Sequence, residues 1–129
     1  MKKTMLKLDS SQLANISKQL YATRMREYLN SVFAESVEVA DSELEAAILA
    51  LTDRASLYNI TAESDLAAYI TCAWLMGKDF DDKFDAARNL LDDTALSGLE
   101  KAEGLWLFIE QSFAVLAEDE PELLKLEQE

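Results

Sequence analysis

Apolar residues recur at intervals of three and four along most of the chain, which is the spacing of one face of an α-helix. The first such run begins at Ser11 and predicts an amphipathic helix of about six turns. Its apolar positions are Leu13, Ile16, Leu20, Met25, Tyr28, Leu29, Val32 and Phe33. Residues 35–40 break this spacing and are expected to form a connector to the second helix.

The second predicted helix has recognisable residues at both ends. Asp41 or Ser42 is expected to cap its start, and Ser42 with Glu45 has the spacing of a capping box, in which each side chain accepts a hydrogen bond from the backbone N–H of the other residue. At the far end, Asn59 tolerates the left-handed conformation that terminates many helices, and Ile60 is placed to pack back on the last turn. We therefore expect a helical hairpin with a short turn.

Three further helices are expected after this turn. The third occupies residues 61–77 and ends at a glycine, which commonly terminates helices. Residues 81–92 predict a shorter fourth helix, and Ser97 with Glu100 forms a second capping-box pattern that opens the fifth. Pro121 is expected to stop the fifth helix, because proline cannot continue the hydrogen-bond ladder.

These patterns predict an all-α protein of five or six helices, packed as a bundle or orthogonally. An all-β fold is excluded because the 129 residues include only three glycines and one proline, too few for its tight turns. We expect residues 1–129 to form one domain, with 1–9 expected to fray and 118–129 either frayed or forming a final turn. The expected core comprises Leu44, Ile48, Leu51, Tyr58, Leu66, Tyr69, Ile70, Trp74, Leu105, Trp106 and Ile109.

The residue types exclude several kinds of catalytic and metal site. Without histidine and with a single cysteine, the chain cannot form a His-containing zinc site, an imidazole-based triad or an internal disulfide. The acidic run at residues 79–85 fails the EF-hand pattern, because Phe84 replaces the turn glycine and Leu90 the bidentate glutamate. We therefore predict a non-enzymatic protein with no catalytic residues, metal or cofactor, and we interpret these acids as helix-start residues.

The sequence contains no pattern of a secretory signal or of a membrane span. The basic N-terminal region lacks an apolar run of about 7–15 residues, and no stretch of about 18 apolar residues occurs. The lone Cys72 has no basic neighbour close in sequence, so we interpret it as a small buried or boundary side chain in a reducing compartment. These observations favour a cytoplasmic protein that does not insert into a membrane.

Charge is distributed unevenly along the chain. The net charge is −13, yet residues 1–33 carry six basic residues against two acidic ones. An acidic body repels phosphate backbones, so we do not expect nucleic-acid binding. The first helix displays Lys18, Tyr21, Arg24 and Arg26, and Arg with Tyr suits a protein interface. These four residues are the predicted partner-binding strip; the alternative is that the strip pairs with the protein's own acidic helices.

One stretch of the sequence resembles a known family. The run Arg54-Ala-Ser-Leu-Tyr-Asn-Ile-Thr-Ala-Glu-Ser-Asp-Leu-Ala-Ala-Tyr69, continuing through Met76-Gly-Lys-Asp-Phe-Asp81, is similar to a segment of small helical accessory proteins encoded in bacterial type VI secretion effector clusters. This chain has Asn59 where that segment usually has glycine, and it lacks the Pro-Trp pair that often precedes the fourth helix. The resemblance implies an accessory, adaptor or chaperone-like role for a secreted effector, or a role as an immunity partner.

The sequence therefore leaves two functional hypotheses open. The first is a protein-binding accessory or adaptor factor for a type VI secretion effector. The alternative is an acidic immunity or inhibitor protein that neutralises a basic toxin or mimics nucleic acid. Strong salt dependence of the partner's affinity would favour the alternative, because the accessory interface should be mainly apolar. The sequence leaves the partner's identity and the oligomeric state open.

Overall fold

A computed structural model describes residues 9–119 of the chain. This part contains six α-helices, one 3₁₀-helix and no strand, so the predicted all-α fold is confirmed. The helices are α1 (Ser10–Val32), the 3₁₀-helix (Ala34–Glu38), α2 (Asp41–Ser56), α3 (Glu63–Met76), α4 (Phe80–Lys83), α5 (Asp85–Asp92) and α6 (Gly98–Asp119). Of the residues expected to fray, 1–9 and 118–129, only Asp9, Glu118 and Asp119 are described: Asp9 caps α1, and the other two belong to α6. The rest, and the expected helix stop at Pro121, lie outside the described residues.

The chain divides into two compact units, the first up to Arg54 and the second from Ala55. In the first unit, α1 and α2 are antiparallel neighbours: as the numbering rises along α1 from Lys18 to Arg26, their α2 partners fall from Asp53 to Glu45. The 3₁₀-helix packs on α1 and turns the chain between the two helices. The expectation of a single domain over residues 1–129 stays a prediction.

The start of α1 carries a capping box that the sequence patterns did not single out. The Asp9 carboxylate accepts a hydrogen bond from the Gln12 N–H at 2.8 Å, and the Gln12 side chain accepts one from the Asp9 N–H at 2.9 Å. The hydrogen bond from the Gln12 N–H lowers the pKa of Asp9, and a hydrogen bond from the Ser11 hydroxyl lowers it further. Two N–H groups that the helix leaves unpaired are satisfied in this way.

The start of α2 lies within two residues of the predicted one. The helix begins at Asp41, and the Ala40 carbonyl accepts its first backbone hydrogen bond. Both carboxylate oxygens of Glu45 accept hydrogen bonds from α1, one from Gln19 and the other from Arg26. The Glu45 side chain, which the local pattern assigned to the cap of α2, is therefore engaged in an ion pair with another helix.

The predicted end of the helix is confirmed. Asn59 has a φ of 64°, and the Ile60 N–H donates back to the Ala55 carbonyl at 3.2 Å while Asn59 N–H donates to Ser56. These two bonds define a Schellman motif, and the buried Ile60 supplies its apolar contact.

Four more boundaries test the local patterns in the second unit. Gly77 ends α3 with a φ of 105°, and Ser97 and Glu100 form the predicted reciprocal capping box. However, α3 begins at Glu63 without a side-chain cap, two residues after the predicted start. The single helix predicted over 81–92 is wrong: Phe84 is extended and separates α4 from α5.

The core of the second unit lies where α3 packs against α6 and α4, and where α5 packs against α4 and α6. Tyr69 is fully buried there, with its ring centroid 4.9 Å from that of Phe80. Six predicted core residues are buried: Leu44, Ile48, Leu66, Tyr69, Ile70 and Leu105. Four are half-buried: Leu51, Tyr58, Trp74 and Ile109. Trp106 is exposed, because the buried side of α6 is the one that carries Lys101, Ala102 and Leu105.

A buried polar cluster ties the turn after α2 to the rest of this unit. The Asp81 carboxylate, fully buried, accepts hydrogen bonds from the hydroxyls of Tyr58 at 2.6 Å and Tyr69 at 3.2 Å. The buried Lys101 donates through Nζ to the Tyr58 carbonyl at 2.9 Å. Asp81 and Lys101 thus each have a hydrogen-bond partner, as burial requires. Asp81, predicted to begin a helix, is instead the acceptor at the centre of this cluster.

Cys72 is a free, fully buried thiol, as predicted, and we expect it to be unreactive in the folded protein. Burial raises the pKa of Cys72 to about 12, from the usual 9.0, so almost no thiolate forms near neutral pH. We expect labelling by Ellman's reagent at about pH 8 to be at least about a hundredfold slower in the folded than in the guanidinium-unfolded protein.

The raised pKa of Cys72 makes the stability of the folded protein depend on pH. The unfolded thiol ionises near pH 9 while the folded one keeps its proton up to about pH 12, so this contribution to stability falls as the pH rises through that range.

Equally fast labelling of the folded and unfolded protein would contradict the buried position of Cys72.

Candidate protein-binding surface

Two residues of the predicted partner-binding strip pair with acids of the same unit. Arg26 lies with Nε 2.6 Å from an oxygen of Glu45 and with a terminal nitrogen 3.6 Å from Asp41. The hydrogen bond to Glu45 raises the pKa of Arg26. Lys18 lies 3.7 Å from Asp53. For these two residues the structure has the internal pairing that the sequence left open as the alternative.

The other two residues of the strip lie together. Tyr21 is 8% exposed, and its hydroxyl is 3.7 Å from the sulfur of Met25. Arg24 is exposed, and its guanidinium carbon lies 5.9 Å from the centroid of the Tyr21 ring, within reach of a cation–π interaction. Tyr21 therefore packs beneath Arg24 and is not exposed as the anchor of an interface. Partner binding by the strip stays a prediction.

A shallow open depression adjoins the strip on the first unit. It is lined by Asn15, Lys18, Gln19, Leu49 and Asp53. Its polar wall is held by the hydrogen bond from Gln19 to Glu45 at 2.8 Å. Because the depression is open and has a single apolar side chain, it offers little to a small ligand.

The structure exposes a row of residues from the apolar face predicted for the first helix. Leu13, Ile16 and Leu20 on α1 are 52%, 45% and 55% exposed, and we call them the α1 stripe. At about 100° per residue they share an arc of about 60°. The buried residues of α1 lie on another side of the helix: Tyr21, Ala22, Met25 and Leu29. The sequence already places apolar residues on two sides of this helix, and that pattern is the signal that could have revealed the exposed row.

A second apolar row lies on α6. Leu99, Trp106 and Phe113 are seven residues apart and are 59%, 38% and 44% exposed. Glu103 and Glu110, both exposed, occupy the positions between them at helical spacing. We call these five residues the α6 stripe. Its apolar members were missed as surface residues because periodicity marks a face without saying whether another helix covers it.

Two kinds of feature are absent from the part of the chain that the structure describes. No group of three or more cysteine, aspartate or glutamate side chains is arranged to hold a metal ion between residues 9 and 119. Over the same range, no helix is both long and apolar enough to cross a membrane. Comparisons of the chain with protein-family models, with curated proteins and with solved structures each find no match.

Proposed function

We propose that this chain is a non-enzymatic, cytoplasmic protein-binding factor that acts as an accessory or adaptor, in a chaperone-like way, for a type VI secretion effector. The observation that carries the proposal is the α1 stripe, a row of exposed apolar side chains on a helix whose other side is already buried. Contiguous exposed apolar surface is typical of interaction sites. The link to secretion effectors rests on the resemblance of residues 54–81.

The α1 stripe can supply useful binding energy. Full burial of a leucine or isoleucine contributes about 1.5–3 kcal/mol, so a half-exposed one contributes about 1 kcal/mol when a partner covers it. Arg24 follows Leu20 by four residues and continues the same face, where it can serve as a polar contact at the rim. We therefore place the partner over the face from Leu13 to Arg24.

The test is co-purification with the products of the genes adjacent to the one encoding this chain. We expect the double variant Leu13→Gln, Leu20→Gln to bind such a partner about 30-fold more weakly, because about 2 kcal/mol of burial is lost. Both positions are exposed, so circular dichroism should show an unchanged helical fold. The matched control is Leu57→Gln, which removes a leucine that is 79% exposed in the turn after α2.

Two results would count against the accessory role. Equal weakening by the double variant and by Leu57→Gln would remove the α1 stripe from the interface. Failure of any adjacent gene product to bind the wild-type chain would remove the proposed partner itself.

A second candidate, the acidic inhibitor of a basic toxin, is favoured by the net charge of −13 and by the internal pairing of Lys18 and Arg26. Pairing of these cations with acids of their own unit leaves less positive surface to oppose a basic partner. Intact binding by the Leu13→Gln, Leu20→Gln variant, combined with steep salt dependence, would favour this inhibitor. Loss of binding by that variant with little salt dependence would favour the accessory factor.

A further inference from the structure

The α6 stripe combines two features that a binding face needs. Its apolar members follow at seven-residue intervals, so they stay on one side of the helix over a length of about 21 Å. Trp106 sits at the middle of this length, and tryptophan is the residue type most enriched among interface residues with large binding energies. At about 100° per residue, the buried Lys101 and Leu105 lie about 80° or more around α6 from the stripe, while the buried Ala102 borders it, so a partner on the stripe would cover the surface beside the core of the second unit.

The carboxylates of the stripe determine which partner fits. Glu103 and Glu110 alternate with the apolar residues, and neither forms an ion pair or hydrogen bond with any residue between 9 and 119. Burying Trp106 brings these two acids close to the partner's surface, where an unpaired charge is costly. The partner must therefore supply positive groups next to its apolar ones.

The same charges argue against a second copy of this chain as the occupant. Antiparallel or parallel pairing of two α6 stripes would place Glu103 and Glu110 of one copy beside the same carboxylates of the other. Like charges at such distances are repulsive, and this face offers no lysine or arginine to offset them. The protein's overall charge of −13 adds to that repulsion.

We propose that the α6 stripe binds a basic amphipathic helix of another protein. The partner helix lays a row of apolar side chains on Leu99, Trp106 and Phe113, and its lysines or arginines flank that row and pair with Glu103 and Glu110. This surface shares no residue with the α1 stripe, so the inference goes beyond the proposed accessory role and does not depend on it.

The experiment uses the full chain and a synthetic probe. The probe is a fluorescent peptide of about 18 leucines and lysines in helical amphipathic order, long enough to span the stripe at 1.5 Å per residue. A scrambled peptide of identical composition has the same charge without an apolar face. We expect saturable binding of the amphipathic peptide in fluorescence anisotropy, at least about tenfold tighter than binding of the scrambled one.

Matched variants then locate the site. The variant Glu103→Lys, Glu110→Lys should weaken peptide binding at least about tenfold, because it reverses the charge beside the apolar row. The control Glu35→Lys, Glu38→Lys makes the same change in net charge at exposed positions of the 3₁₀-helix, and should weaken binding by no more than about threefold. Trp106→Gln should also weaken binding, whereas Leu57→Gln should not.

Three outcomes would overturn the proposal. Equal weakening by the two charge-reversal variants would mean that the peptide senses only the overall acidity. Equal affinity for the scrambled peptide would mean that the apolar face of the amphipathic peptide does not contribute to binding. Dimerisation of the wild-type chain that Trp106→Gln abolishes would make a second copy the occupant. None of these outcomes bears on the α1 stripe, whose test uses another partner and other variants.

Discussion

Replacement of Tyr69 by alanine should lower the free energy of unfolding by about 4 kcal/mol, since large-to-small changes at buried aromatic residues cost about 3–5 kcal/mol. Tyr69 has no exposed surface, and its ring packs on Phe80 at 4.9 Å and faces Tyr58 at 6.2 Å between centroids. Its removal opens a cavity and takes one of the two hydroxyl donors from the buried Asp81. Urea denaturation followed by circular dichroism measures the loss.

The variant Tyr69→Phe separates these two contributions. It keeps the ring in the core and removes only the hydroxyl, so we expect a loss of about 1–2 kcal/mol. The difference between the two variants is then the part that comes from packing. If alanine and phenylalanine at this position gave the same stability, the ring would not belong to the core as described.

Replacement of Gly98 by alanine should cost about 2 kcal/mol, within the range of about 1–3 kcal/mol for overpacking a close contact. A Cβ at Gly98 would lie 2.8 Å from the carbonyl oxygen of Asn59 and 3.6 Å from the Cα of Ile60. Both are backbone atoms of the Schellman turn, so neither can rotate away. The start of α6 must move from the turn, and Lys101, three residues later, would be drawn from the Tyr58 carbonyl.

Gly104 on the same helix provides the control. A Cβ there would meet the two terminal methyl groups of Leu90 at 2.7 Å, and these can move by a change of rotamer. Alanine is also favoured over glycine within a helix by about 1 kcal/mol, which offsets the contact. We expect Gly104→Ala to change the free energy of unfolding by less than about 1 kcal/mol. A larger loss at Gly104 than at Gly98 would contradict the close approach at the turn.

The local patterns predicted helix ends best where the chain's own backbone completes the structure. The Asn59 stop, the Gly77 stop and the Ser97–Glu100 capping box each depend on residues within six positions, and each is present. The Ser42–Glu45 pattern did not reveal that Arg26 on another helix competes for the Glu45 carboxylate. Such competition has no trace in a local sequence window.

The candidate surfaces show a similar division. The sequence identified α1 as the basic element and named Arg24, which the structure leaves exposed. It could not foresee that Lys18 and Arg26 would pair with α2, or that Tyr21 would be almost fully covered. It also placed Trp106 in the core and Leu13 on the apolar face of the first helix, because an apolar residue at helical spacing is the same in sequence whether or not a neighbour covers it.

The sequence by itself determined the helical class and several helix boundaries, since these follow from periodicity, capping residues and composition. Only the tertiary structure decided which side of α1 and of α6 is buried, and which carboxylates are used internally. The physical reason is that burial and ion pairing depend on contacts between residues distant in sequence, and the two apolar stripes exist because those contacts cover one side of each helix and leave another side exposed.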